Sequence, residues 1–321
     1  MFKNLLFYSC LLGFLTTKAQ VIPIEKIKFQ QFYTLKDKSH VFIPLGNVAF
    51  ADTIISFKEG NPKALPQYSN PQNAAGEPDY KKYLDTSYVS VGCKGQLVAQ
   101  FKDNGFIDIE GPDLYFFEIG PSVEAFTVEI SSDNKNWIMI GEVSGGKSSA
   151  DIANANLPAN KKDIYYYVRL TDLGSFCRGP TPGADIDAIA TVGGVLKLNV
   201  SAHLLFDTDK AILKTSAINE LERFIVLISE IPKAKILVSG HTDSDASYDY
   251  NMKLGDKRAR AVKKYLSEQL KDKGTYLINT ESFGETMPIA SNKTAKGKQQ
   301  NRRVEILVLP DKSFYIPPAK K

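Results

Sequence analysis

Residues 240–266, GHTDSDASYDYNMKLGDKRARAVKKYL, decide how the chain is read. Just upstream, Ile236-Leu237-Val238 forms a short apolar strand; downstream, apolar residues recur at helical spacing over 249–270. Asp243 falls between the two, at the end of the strand, where loop amides and a helix N-terminus favour an anion. Arg258 lies four residues after Leu254 and four before Val262, so it shares the apolar stripe of the helix. Lys257, Arg260, Lys263 and Lys264 point elsewhere and read as solvated charge. A guanidinium facing inward is costly unless a carboxylate or a charged ligand meets it. Asp243 and Arg258 together suit a zwitterion, the carboxylate taking an ammonium and the guanidinium a carboxylate through two parallel hydrogen bonds. On spacing alone a structural ion pair between loop and helix is the commoner use of two such residues.

Outward from this stretch, strands and helices alternate. Val195–Phe206 alternates as a strand, Ser216–Ser229 carries Ile218, Leu221, Phe224, Ile225 and Ile228 on one helical face, and Pro232 stops that helix. Further strands are expected at 278–283 and 304–309. The pattern is βαβαβ-β, an α+β domain with a mixed sheet and its helices packed on one face. After Pro310 the tail, 311–321, has no periodicity and is expected to be free.

The motifs LLFDTDKA (204–211), GHTD (240–243), Tyr250-Asn251, Leu254, Arg258-Ala259, Phe283-Gly284-Glu285, Pro288-Ile289-Ala290 and NRRVEI (301–306) stand in the order and spacing of one family. Residues 197–310 resemble the OmpA-like peptidoglycan-binding domain, also found in flagellar motor stators and peptidoglycan-associated lipoproteins. The resemblance implies that Asp243 and Arg258 hold the amino and carboxylate groups of meso-diaminopimelate in the peptide stem. It places Thr242, Asn251, Leu254 and Asp207 around them. Two positions depart from the pattern. Ala246 replaces a glycine, which tightens the demand on backbone dihedrals. Gly255 replaces a serine, which weakens the helix by roughly 1 kcal/mol relative to alanine.

The preceding half, 20–192, reads as all-β. Leu97–Phe101, Leu114–Ile119, Ala125–Ser131, Trp137–Val143 and Ile164–Leu170 are short, β-branched or aromatic, and separated by Gly, Pro, Asn and Asp. Ser132-Asp133-Asn134-Lys135-Asn136 is a hairpin turn before the only tryptophan, Trp137. VEISSDNKNWIMIGEV (128–143) and YYYVRLTD (165–172) resemble a discoidin or galactose-binding-like jelly-roll sandwich over about 50–192, with Asn134 where glycine is usual. That resemblance implies a module binding a glycan, a lipid or an envelope protein, often with a structural calcium. Asp108, Glu110 and Asp113, with Asp185 and Asp187, supply carboxylates of the kind calcium takes, solvated turn acids being the alternative. An outer-membrane barrel is the rival architecture. Yet LYFFEIG and IYYYVRL are apolar on both faces, whereas barrel strands alternate.

The chain is expected to be exported. In MFKNLLFYSCLLGFLTTKAQ one lysine, Lys3, precedes an apolar run from Leu5 to Leu15, and Thr17-Lys18-Ala19 puts small residues at the first and third positions before a cut after Ala19. That makes 1–19 a signal peptide, too short to span a bilayer, and no later segment is long and apolar enough to do so. Lipidation at Cys10 lacks the usual leucine before it. Cys93 and Cys177 remain, which in an exported chain suggests one disulfide, worth about 4 kcal/mol in the chain-entropy picture. Two buried free thiols are the alternative. From 196 onward, 22 Lys and Arg face 15 Asp and Glu, against 18 and 21 before it. A basic C-terminal half suits an anionic wall polymer, and export, rather than charge, rules out nucleic acid. Nothing assembles a catalytic set. There are three histidines, His40, His203 and His241, and no third ligand joins His241 and Asp243 for zinc. The reading is a non-enzymatic tether in the periplasm or on the periplasmic face of the outer membrane of a diderm bacterium. A barrel-bearing outer-membrane protein and a glycan-binding adhesin are the alternatives.

Overall fold

The computed structural model describes residues 26–82, 84–119, 124–144, 148–158 and 163–318, so the expected signal peptide lies outside the described residues. The chain opens with a hairpin, β1 (Gln31–Thr34) and β2 (His40–Ile43). Ten short strands follow: β3 (Thr53–Lys58), β4 (Val89–Ser90), β5 (Gln96–Gln100), β6 (Asn104–Phe106), β7 (Leu114–Glu118), β8 (Phe126–Ser131), β9 (Ile138–Val143), β10 (Ser149–Ala150), β11 (Tyr167–Asp172) and β12 (Asp185–Thr191). All but β6 fall into two antiparallel sheets, ordered β3-β5-β11-β8-β9 and β10-β7-β12-β4. Neither closes on itself among the described residues. Alternation aims Leu97, Val128, Val168 and Leu170 of the first sheet, and Leu114, Phe116, Ile186 and Ile189 of the second, into one apolar cluster. Cys93 and Cys177 are joined by a disulfide across a separation of 84 residues. In the β8–β9 turn Asp133 accepts the amides of Lys135 and Asn136 at 2.8 Å each. Asn134 there takes φ 59°, a left-handed conformation that asparagine and glycine tolerate best.

The C-terminal half is built from β13 (Gly194–Ser201), α1 (Ala202–Leu205), α2 (Ala217–Ser229), β14 (Lys233–His241), α3 (Tyr248–Leu270), β15 (Thr275–Gly284), α4 (Ala295–Asn301) and β16 (Arg303–Pro310). Its sheet runs β15-β14-β16-β13-β6 and is mixed, β14–β15 being parallel and the other pairings antiparallel. Leu198, Val200, Val304, Ile306 and Val308 meet Leu221, Ile225, Val262 and Leu266 of α2 and α3 in a second apolar cluster. The alternate positions Lys197 and Glu305 lie on the opposite face.

Four features differ from the expectations. The strand expected over 195–206 ends at Ser201, because Ala202–Leu205 coils into a single turn that buries Ala202 and Leu205. Helix α4 was not foreseen: AKGKQQN has no apolar stripe, and the signal for it is Thr294, whose hydroxyl caps the amide of Gly297. The tail is not free through 318: Lys312–Tyr315 forms a 3-10 turn that buries Phe314 and Tyr315, and the Tyr315 hydroxyl donates to the Gly194 carbonyl at 3.1 Å. Finally, the C-terminal sheet gains its edge strand from the preceding half. β6 pairs with β13, and Val41, Ile43, Leu45, Ala188 and Ala190 join the C-terminal apolar cluster. This apolar cluster therefore takes in residues of both expected regions, 20–192 and 197–310.

Candidate functional site

The end of β14 and the start of α3 meet α1, the 206–214 loop and the end of α4 around a cleft of about 1010 Å³. Two glycines bring β14 and α3 close together beside it. A Cβ on Gly240 would lie 2.1 Å from the Gly255 carbonyl oxygen, and one on Gly255 would lie 2.9 Å from that of Gly240. Gly255 is thus more than a weak point in α3, since without a side chain there the helix can lie directly on β14. Ser247 caps α3, its hydroxyl accepting from the Tyr250 amide. Ala246 takes no positive φ, so the missing glycine leaves no strain.

Asp243 and Arg258 both line this cleft and are both buried, at 7 % and 5 % exposure. They do not form the ion pair that spacing allowed. Arg258 Nε donates to the Lys210 carbonyl at 3.1 Å, and its guanidinium lies over the Phe206 ring, 5.4 Å from the centroid. Burial pulls its pKa below the usual guanidinium value, with Asp209 the chief opposing charge. Asp243 pairs instead with Arg302, at the end of α4. The neighbouring Asp245 pairs with Lys298 of the same helix, and its amide donates to Asp243 Oδ1 at 3.2 Å.

The other expected residues divide into supports and walls. The Thr242 hydroxyl donates to the Asp243 carbonyl at 2.8 Å, and its amide to Gly284 at 2.8 Å. Asn251 is buried, and its amide group donates to the carbonyls of Asp243 (3.1 Å) and Ala246 (3.2 Å) and to the Glu285 carboxylate. It therefore holds the 243–246 loop in shape. Leu254 lines the cleft wall. Asp207 sits at the rim, paired with Lys210 at 3.2 Å and Lys214 at 3.7 Å, and these two lysines hold its carboxyl below the usual range. Arg302, Lys298 and Phe206 carry the arrangement but were not singled out from the sequence. Arg302 stood in the NRRVEI motif, yet only the fold brings it to Asp243.

Among the described residues, the one group of acids, histidines and cysteines close enough to hold a metal ion does not include His241. His241 is buried and stacked on Phe283 at 5.2 Å, both ring nitrogens lack a hydrogen-bond partner, and Nε2 lies 3.8 Å from Glu305. Burial, and then Arg303, lower its pKa to about 4.

The acids expected to hold calcium do not come together as one set. Asp108 and Asp113 lie with Asp151, an oxygen of each within 4.8 Å of the others. Asp113 is buried, accepts the Ile109 amide at 2.9 Å and the Ile152 amide at 2.8 Å, and is pushed up to about 7 by burial. Asp187 is committed to the amides of Asp79 and Tyr80 at 3.3 and 3.2 Å. Asp185 sits beside Glu118 and Glu124, away from that set, with Oδ1 buried and without a hydrogen-bond partner. The cause is topological: Asp185 and Asp187 are on β12, paired against β4 and β7, whereas Asp108 and Asp113 precede β7.

Residues 205–302 match the OmpA family. "Probable lipoprotein YiaD" of Escherichia coli is 39 % identical over 123 residues, covering 38 % of this chain and 55 % of that protein. "Outer membrane protein A" of Bordetella avium is 41 % identical over 113 residues, covering 35 % of this chain and 57 % of that protein. The chain thus spans a little over half the length of these two relatives. Among solved structures, the peptidoglycan-associated lipoprotein from Burkholderia pseudomallei is 28 % identical, covering 34 % of this chain and 88 % of that one, with a TM-score of 0.30. Among the described residues no helix is long and apolar enough to cross a membrane. The domain that carries Asp243, Arg258 and Arg302 is an OmpA-like domain.

Proposed function

We propose that this is a non-enzymatic cell-envelope protein that binds peptidoglycan non-covalently through the diaminopimelate of the peptide stem. The observation that carries the reading is the cleft itself: a buried carboxylate and a buried guanidinium both line it, unbonded to each other, within a segment that matches the OmpA family. Asp243 takes the ligand ammonium and Arg258 its carboxylate. Thr242 and Asn251 hold the loop in place, Leu254 and Phe206 give the methylene chain an apolar wall, and Asp207 with its lysines forms the rim. The envelope names of the two curated relatives support a place in the periplasm or on the periplasmic face of the outer membrane. Sedimentation with purified sacculi tests the site. Asp243→Asn and Arg258→Ala are each expected to lose roughly tenfold or more in retention. If variants with wild-type circular dichroism still sediment as wild type does, the assignment is wrong.

The strands before β13 are read as a discoidin or galactose-binding-like sandwich that presents a second binding surface, for a glycan or an envelope protein, while the C-terminal domain anchors it. Calcium fits Asp108, Asp113 and Asp151, whose crowded carboxylates a divalent ion would relieve of mutual repulsion. Excess calcium is expected to raise the melting midpoint relative to chelator by a few degrees; an unchanged midpoint retires calcium.

A further inference from the structure

The pairing of Asp243 with Arg302 has a consequence for the kind of ligand the cleft accepts, and it rests on the reading of the cleft as a diaminopimelate site. The position beside Asp243 that a ligand ammonium would take is met by the chain's own Arg302 guanidinium. Arg302 is presented from a fixed base. The Asn301 side chain next to it accepts from the amides of Ile289 and Ala290 at 2.9 Å each and donates to the Ala290 carbonyl and to Asn292 at 2.8 Å each. Lys298 fastens the preceding turn of α4 to Asp245. The Arg302 side chain is itself 37 % exposed, so it can leave Asp243 without its backbone moving. Arg258, by contrast, is buried and held by a backbone carbonyl and an aromatic face.

Charge balance follows from these contacts. A ligand ammonium on Asp243 displaces Arg302, and a ligand carboxylate on Arg258 completes the zwitterion. The cleft is then left with one guanidinium at its mouth, near Arg258 and without its former partner. We propose that Arg302 reads a second carboxylate, so that the cleft prefers a ligand bearing one ammonium and two carboxylates over one bearing one of each. Arg302 is thus a specificity residue: it occupies Asp243 when the cleft is empty and takes an anion from the ligand when it is full. In a peptide stem that anion is a backbone carboxylate, either the α-carboxylate of the γ-linked glutamate or that of the diaminopimelate L-centre.

Calorimetric titration of the full-length protein tests this with four forms of acetyl-L-Ala-γ-D-Glu-meso-diaminopimelate. The two backbone carboxylates are left free, amidated singly, or both amidated, and the side-chain ammonium and carboxylate are kept throughout. Wild type is expected to bind the doubly amidated peptide roughly threefold to tenfold more weakly than the free form. The single amides show which carboxylate Arg302 takes. Arg302→Gln is expected to bind all four peptides alike, and the doubly amidated one at least as tightly as wild type does, because Asp243 is then already free. Arg302→Lys is expected to keep part of the discrimination. Equal weakening of every peptide by Arg302→Gln would mean that Arg302 only positions Asp243, and discrimination unchanged in Arg302→Gln would mean that another group reads the carboxylate. Either result overturns the proposal while leaving the diaminopimelate site intact. Failure of wild type to bind any of the peptides overturns both.

Discussion

The N-terminal sheets and the OmpA-like domain handle buried charge differently. Around the cleft and the neighbouring sheet, buried carboxylates meet guanidinium groups, Asp243 with Arg302 and Glu305 with Arg303 at 2.7 Å, while the buried Arg258 meets a backbone carbonyl and an aromatic ring. Burial pushes Glu305 up, but Lys197, Arg303 and His241 together hold it below the usual carboxylate value. In the N-terminal half, like charges gather. Glu118, Glu124 and Asp185 are all buried close together, and Lys36 reaches Glu118 at 3.5 Å. Burial, with neighbouring acids adding to it, raises Glu124 to about 9, and Asp185 and Asp187 to about 7. Asp103, beside Asp52, is raised to about 8. Opposite charges beside Asp243 and Glu305 favour the ionised carboxylate, whereas burial among like charges in the N-terminal half disfavours it.

The strongest way to break this contrast is through packing. Gly255→Ser puts a Cβ 2.3 Å from Ser282 Oγ and 2.9 Å from the Gly240 carbonyl oxygen. It is expected to lower stability by about 1–3 kcal/mol in urea titration. Because β6 pairs with β13 and the C-terminal apolar cluster takes in residues of the preceding half, Trp137 fluorescence, which reports the N-terminal sheets, should shift together with the helical circular dichroism. A Trp137 transition that stays in place would show two independently unfolding regions.

Proton linkage offers a smaller and sharper test. The buried acids of the N-terminal half have folded pKa values raised above their unfolded ones. Their contribution is complete below about pH 4 and is lost as pH rises through 7 to 9. His241 and Glu305 have depressed folded values. Their contribution is present at neutral pH and is lost on acidification, for His241 as pH falls from the usual histidine value towards 4. Hydrogen exchange corrected for intrinsic rates should therefore show protection in β7 and β12 falling by on the order of 1 kcal/mol from pH 6 to 9. Protection in β14 and β16 should fall instead from pH 6 to 4. Parallel slopes in the two regions would erase the distinction.

Much of the C-terminal domain was legible because its helices carry a stripe. Leu221, Ile225 and Ile228, and Val262 and Leu266, mark α2 and α3 to within a residue or so of their observed bounds. Helix α4 was not legible, since it is held by a cap, an ion pair and the side chain of Asn301 rather than by an apolar face. In the site, Asp243 and Arg258 were legible from a charge on an apolar stripe and from motif spacing. Arg302 was not, because it lies 59 residues from Asp243, and local patterning carries no information about which charges a sheet brings together.

Periodicity, turn chemistry and motif order, which act over a few residues, thus determined by themselves where the helices and strands of the C-terminal domain lie and that a buried guanidinium would need an anion. Tertiary structure alone decided the rest: that Asp243 answers to Arg302 and not to Arg258, that Asp151 and not Asp185 or Asp187 joins Asp108 and Asp113, and that β6 completes the C-terminal sheet. These are contacts between distant segments, fixed by strand pairing and core packing, and no window of sequence contains both partners.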